Sequence, residues 1–323
     1  MDNTNLAPVL ITVYDRLDCL QNAVNHLSRG GQQAKETKLY IVSDNAYTIE
    51  HKDTINKIRE YITSLNDKGY FKSVEGIFWE QNKGSFDSIN DAIKYIFKKY
   101  DKLILFEDDI LVSNKFLEYM NNALEFYKDD KRIMSIASHT HYKKIAYKGY
   151  PYDVYMLQMY SPWGVGIWKD RYESIDFEIS DIKEFLNNKK EVERFNSISR
   201  HMLGILEDML EKGKKYGDVI VCYNMFKKDK YTIYPIKPLS VNRGHDGRGE
   251  HCGIDRFWQN QELINDFLPK LIKDIELDSK ITKNTYRAFY SYKRDIVEKS
   301  LHKLRIYKPV RFVYKKIKNA FAS

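Results

Sequence analysis

The sequence predicts an α/β fold, a mostly parallel sheet with helices on both faces, followed by a helical and basic C-terminal extension. Three observations carry this prediction. Strand-like apolar runs recur at a regular pitch through the first 140 residues, and helix-length stretches of 3.6-residue apolar period lie between them. The chain of 323 residues, 43% hydrophobic and 30% charged, is also long enough for one large α/β domain with an appendage or for two smaller domains. Strands alternating with helices at this pitch pair in parallel and are covered on both faces.

The strand runs are "PVLITVY" (8–14), "KLYIVS" (38–43), "EGIFWE" (75–80), "KLILF" (102–106) and "IMSIAS" (133–138). Before the fourth, Ile89, Ile93, Ile96, Phe97 and Tyr100 share one helical face, with Ser85 or Asp87 available as a cap. After it, Asn114 is placed to cap a helix whose stripe is Phe116, Leu117, Met120 and Leu124. No internal repeat or low-complexity segment interrupts the pattern.

In sheets of this kind ligands bind beyond the carboxyl ends of the strands. Polar residues follow each of the first four: Asp15 and Arg16, then Asp44 and Asn45, then Asn82 with Lys83 and Gly84, then Glu107, Asp108 and Asp109. The last group is unusual, because three carboxylates interrupt an apolar run that resumes at Ile110. Two carboxylates about 5 Å apart repel by roughly 0.8 kcal/mol in water and about 3 kcal/mol at a partly buried site, so a counter-charge is required. A solvated strand end with Lys or Arg partners would supply one; so would a divalent cation on oxygen ligands with phosphates completing its shell. The company of three other polar strand ends favours the cation and a nucleotide.

Beyond His141 the alternation fades. "YSPWGVGIWKDRYESI" (160–175) is dense in aromatics and glycine, as in a loop packed closely on a ligand, although Trp163 and Trp168 suit a core equally well. Asp218 opens an apolar helix-like run, where an N-cap is the simpler reading. "NRGHDGRGEHCG" (242–253) sets flexible backbone beside His245, Asp246, Arg248 and His251, which suits a loop closing on phosphate or metal.

The net charge of +8 resides in the tail, where residues 293–323 hold ten Lys or Arg against two acids and interleave them with apolar residues. Basic, amphipathic and too polar to span, this segment reads as lying on an anionic membrane surface; a helix packed on its own domain is the alternative. The balanced charge of the rest argues against nucleic acid as a partner. Cys19, Cys222 and Cys252 show no paired spacing, and the N-terminus resembles neither a secretory signal nor a membrane anchor, so a cytoplasmic protein peripheral to the inner face of the membrane is expected.

Taken in order, "PVLITVYDR", "IVSDNA", "LILFEDDILVSNKFLEYM", "MSIAS", "SPWGVGIWKDRYE", "GDVIVCYNMFKK" and "NRGHDGRGEHC" resemble GT-A-fold glycosyltransferases of the family-2 type, in particular the bacterial sugar transferases akin to N-acetylglucosaminyltransferase I. The likeness covers about three quarters of the chain. It implies a GT-A domain over 1–265, with the nucleotide-sugar half at about 1–140 and the acceptor and catalytic half at about 141–265, and an extension over 266–323. It implies donor contacts from Tyr14, Asp15, Arg16, Asp44, Lys83, Glu107, Asp108, Trp163 and Gly164. Asp109, the last residue of the family's Asp-x-Asp-type motif, would hold Mn2+ or Mg2+, with His251 or His245 completing the shell. Asp218 falls where such enzymes carry the base, but Gly217 stands where they often have Trp, which leaves Glu207 and Asp208 as competitors.

The implied activity is metal-dependent transfer with inversion, from a nucleotide-sugar such as a UDP-sugar to a glycan or lipid-linked glycan in bacterial surface polysaccharide synthesis. Two other readings stand beside it. A sugar nucleotidyltransferase shares the nucleotide half, though "TVYDRLDC" lacks the Gly-rich basic segment such enzymes place after the first strand. A non-enzymatic, membrane-associated nucleotide-sugar-binding protein would leave the acids structural.

Overall fold

A computed structural model of the chain describes residues 6–140, 145–248, 254 and 256–289, with isolated positions beyond. Its strands in chain order are β1 (Val9–Val13), β2 (Lys38–Ser43), β3 (Ser73–Phe78), β4 (Lys102–Glu107), β5 (Ile110–Val112), β6 (Ile133–Ala137), β7 (Val154–Leu157), β8 (Val165–Trp168), β9 (Tyr231–Pro235) and β10 (Ser240–Asn242). Eight of them form one sheet in the order β3-β2-β1-β4-β8-β6-β9-β7, and β5 pairs with β10 in a separate ribbon. The sheet is mostly parallel: only β8 and β7 run against the other six. The predicted α/β class is the one observed.

The sheet is buried on both faces, which is why its strands read as unbroken apolar runs. On one face Val9, Ile11 and Val13 pack with helices α1 (Leu17–Ser28) and α5 (Phe116–Phe126), through Leu20, Val24, Phe116, Met120 and Leu124. On the other, Leu10, Leu103 and Leu105 meet α4 (Gly84–Phe97) and α10 (Gly217–Lys227). Every residue of α10 from Val219 to Phe226 is buried, so this helix lies inside the domain, and the side-chain amide of Asn224 among them donates to the carbonyls of Asp176 and Ile220. The remaining helices are α2 (Gln32–Glu36), α3 (Lys52–Ser64), α6 (Lys169–Glu173), α7 (Ile182–Asn187), α8 (Lys189–Ile198), α9 (Arg200–Lys212), α11 (Arg256–Gln259) and α12 (Ser279–Phe289).

Some local expectations are corrected. α4 begins at Gly84 with Lys83 at the cap position, so Ser85 and Asp87 lie inside the helix. α5 is preceded by Lys115, not Asn114; the amide of Lys115 donates to Ser113 Oγ. Gly84, at φ +74°, stands just before Ser85, and the amide of Phe116 donates back to the carbonyl of Ser113 across Asn114, so neither helix starts from its predicted cap. Trp168 is core, its indole N–H donating to the carbonyl of Leu124.

The chain after residue 266 returns to the same core: Phe267, Leu271 and Ile272 pack on the α1–α5 face, Ile275 is buried there, and the Tyr127 hydroxyl donates to the carbonyl of Ile272. The basic tail over 293–323 falls almost wholly outside the described residues. Among those described, no helix is long and apolar enough to cross a membrane.

Candidate active site

The first four strands end level. Val13 is in register with Ser43, Ser43 with Phe78, and Thr12 with Glu107. The polar residues that follow them therefore reach one crevice at the carboxyl edge, and the strand order reverses between β1 and β4, where a ligand cleft is expected.

Glu107 is the last residue of β4, and Asp108 and Asp109 form the turn into β5. The resumed apolar run is thus a second strand. Ile110–Val112 pairs antiparallel with Ser240–Asn242, and the amide of Arg243 donates to the Asp109 carbonyl at 2.9 Å. Asp108 is 2% and Asp109 6% exposed, so the acids are buried and need a positive partner. Arg16, directly after β1, provides it: its guanidinium donates to Asp108 and lies 2.9 Å from Asp109 Oδ2.

The charges respond to this setting. Burial pushes the Asp108 carboxyl up to about 7, Arg16 working against the rise and Asp109 adding to it. Glu107 is pushed up to about 8 by burial and then by Asp109, Asp108 and Asp218. Burial opposes the charge on Arg16, but Asp108 and Asp109 outweigh it and hold the guanidinium protonated above its ordinary value. The upward pressure on Asp108 and on Arg16 pull opposite ways for one pair. The bridging geometry is that of an ionised pair, and the pressure on Asp108 reflects the cost of its burial.

Asp109 Oδ1 and Asp108 Oδ2 are buried and make no hydrogen bond. Gly244 lies so close that a Cβ there would stand 2.1 Å from Asp109 Oδ2, and its amide donates to Asn242 Oδ1. Two unsatisfied carboxylate oxygens beside bare backbone fit a hard divalent cation whose other ligands come from phosphate and water. Among the described residues no set of three His, Cys, Asp or Glu side chains forms a complete cage. His251 lies outside the described residues. His245 is stacked on Trp258 with ring centroids 5.7 Å apart and stands edge-on to Trp163 at 5.8 Å; its Nε2 is buried without a hydrogen bond.

The other predicted positions divide by what they touch. Asp15 is exposed and close enough to Asp108 to raise its pKa. The Tyr14 hydroxyl lies 2.7 Å from His51 Nδ1 and accepts from the Tyr47 amide at 2.9 Å, fixing the segment after β2. Asp44 is buried and accepts from the amides of Asn45 and Lys83, so it ties the end of β2 to the start of α4. The Lys83 ammonium sits 3.9 Å over the Trp79 ring and pairs with Asp91. Gly164 is enclosed, not open to the crevice: at φ +93° a Cβ would meet Ser138 Oγ at 2.1 Å. Trp163 is partly buried, 4.8 Å from Trp258.

Asp218 lies in the first turn of α10, one residue inside the helix, so it is not the N-cap, which is Tyr216. It is near enough to Glu107 for its charge to raise that carboxyl. The rival Asp208 pairs with Lys212 one turn further along α9. Gly217 faces the Phe86 ring, 3.7 Å from where a Cβ would be. Asn242 and Gly244 open the segment that the sequence reads as a loop closing on phosphate or metal, but the close approach of Gly244 to Asp109 and the place of Trp258 beside His245 are visible only in the fold. A cavity of about 490 Å3 lies elsewhere, near Leu157, Phe226 and Thr285, and holds none of the predicted residues.

No protein family and no curated protein matches the chain. Among solved structures it is similar to the mannosyltransferase PcManGT from Pyrobaculum calidifontis in complex with GDP-Man and Mn2+, at 10% identity over 52% of this chain and 46% of that one, with a TM-score of 0.37. It is also similar to S. aureus TarS, at 14% identity over 53% and 30% of the two chains, TM-score 0.36. A third likeness is to TarS 1-349 in complex with UDP-GlcNAc, at 14% identity over 50% and 44%, TM-score 0.33. The chain spans less than half the length of each, and likeness at this level carries no argument about activity.

Proposed function

We propose that the protein is a metal-dependent, inverting glycosyltransferase that moves a sugar from a nucleotide-sugar, UDP-linked by preference, to a hydroxyl of a glycan or lipid-linked glycan. The observation that carries this reading is the acid turn: two buried carboxylates with unsatisfied oxygens, set at the point where the strand order reverses, with Asp218 on a buried helix near enough to the adjoining Glu107 to act on its charge.

Each residue then has a task. Asp109, with Asp108 beside it, would hold the cation against the backbone of Gly244. Bound there, Mn2+ or Mg2+ would offset the negative charge that builds on the departing diphosphate. Asp15, Arg16, Asp44 and Lys83 line the donor side, Asp44 by holding the backbone of two loops in place. Asp218 takes the proton of the acceptor hydroxyl as its oxygen attacks the anomeric carbon; the bond from that carbon to the diphosphate oxygen breaks on the opposite face, and the configuration inverts. Asp218 lies near enough to Glu107 for its charge to add to the burial that pushes that carboxyl up to about 8. The tail over 293–323 would hold the enzyme at an anionic membrane surface on the cytoplasmic side, where lipid-linked acceptors are found.

The test is incubation with a panel of nucleotide-sugars and Mn2+, with and without chelator. Slow release of nucleoside diphosphate that the chelator stops is the expected result. Pyrophosphate formed from a nucleoside triphosphate and a sugar phosphate would point to a nucleotidyltransferase, and absence of any metal-dependent turnover to a binding protein.

A further inference from the structure

We infer that Arg16 is the resident counter-cation of the acid turn, and that a divalent cation binds there only by displacing it. The inference rests on the cation site proposed above and concerns what occupies that site beforehand. The Arg16 guanidinium spans both carboxylates, one nitrogen on Asp108 Oδ1 and the other 2.9 Å from Asp109 Oδ2. Both carboxylates hold the guanidinium by charge, and the second nitrogen faces Asp109 outside ordinary hydrogen-bond alignment. A doubly charged ion on Asp109 would stand within a few ångströms of the guanidinium, and like charges at such range in a buried site repel strongly.

Two features make the exchange feasible. Arg16 sits at the cap position of α1, outside both β1 and the helix, so its side chain can leave the acids without disturbing either element. Asp109 is meanwhile fixed by its neighbours, through the Arg243 amide on its carbonyl and the close backbone of Gly244. The acids stay and the guanidinium moves. A donor diphosphate offers the released guanidinium a new anionic partner in the same crevice, which a free cation does not. Cation and nucleoside diphosphate therefore bind cooperatively, the free ion weakly and the pair well.

The experiment is a calorimetric titration of Mn2+ into the full chain, alone and with UDP present, for the wild type, Arg16→Gln and Arg16→Lys. Without UDP, Arg16→Gln binds Mn2+ at least about tenfold more tightly than the wild type, as loss of a competing charge at this range requires. Arg16→Lys, which can pair with one carboxylate at a time, falls between. With UDP the advantage of Arg16→Gln shrinks or reverses. If Arg16→Gln proves too unstable to titrate, the Lys variant against wild type carries the comparison with the same sign. Equal or weaker Mn2+ binding by the variants, with measurable binding by the wild type, would overturn the inference while leaving the cation site standing. If none of the three binds Mn2+ and donor turnover survives chelator, the cation reading itself is wrong, and Arg16 is the permanent positive charge of the site.

Discussion

Strands β3, β2, β1 and β4 run parallel and end level, with polar residues following, whereas β8, β6, β9 and β7 include both reversed strands, and the buried helix α10 packs on one face of the sheet. The first half places chemistry at strand ends, where the strand order reverses between β1 and β4 and the crossover helices α1 and α4 go to opposite faces of the sheet. The second half contributes through segments that reach back to that cleft: the first turn of α10 with Asp218, and β10 with the Gly244 backbone. Substitutions in the two halves should therefore fail in different ways.

The largest effect is expected at the acid turn. Asp109→Ala should lower metal-dependent transfer by roughly 10³-fold or more, because charge stabilisation on the leaving group is lost, with circular dichroism unchanged. Asp218→Asn comes next, with kcat reduced by about 10²–10³-fold and melting temperature nearly unaffected. A variant that kept full transfer would remove Asp218 from the base role and turn attention to Asp208 or Glu207. In the mixed half Gly164→Ala should cost about 2–4 kcal/mol in a urea titration, since it combines a positive φ with a clash against Ser138 Oγ. Its residual folded fraction should bind Mn2+ normally, which is what separates a packing defect from a site defect.

The smallest effect concerns pH. The Glu107 carboxyl is pushed up to about 8 in the folded chain from an ordinary value of 4.5, whereas Asp108 is ionised in its pair with Arg16. Between those limits the folded chain binds more protons than the unfolded one, so its stability falls as pH rises. Metal-free protein should melt progressively lower from about pH 4.5 to pH 8, and Mn2+ should flatten the trend by favouring the ionised carboxylates.

The first half was legible because parallel strands announce themselves as apolar runs and their polar ends fall at predictable places. Lys38–Ser43 was read to the residue, and Lys102–Glu107 to within one. β7 and β8 were not read, because each is four residues long and lies among aromatics that serve core and crevice alike. The ribbon of β5 and β10 was also missed: three-residue strands have no period of their own, and their pairing is visible only once the chain has brought them together. For the same reason the acids were legible as a polar strand end and the segment from Asn242 as a flexible loop, while the contact between Gly244 and Asp109 was not. Gly164 was misjudged in kind. A glycine in an aromatic loop can mark approach to a ligand, but here it marks approach to Ser138 and Ser240.

The β5–β10 ribbon has a further consequence, for the order in which the protein is made. Its strands are about 130 residues apart, so a nascent chain that has completed the parallel half carries all three acids but lacks the strand that closes over them. Until β10 emerges and docks, the carboxylates remain hydrated and the Asp109 carbonyl lacks its amide from Arg243. The cleft thus acquires its closed shape only after β10 has been made. A chain truncated before residue 240 should be able to form much of the sheet and still have no finished place for a cation.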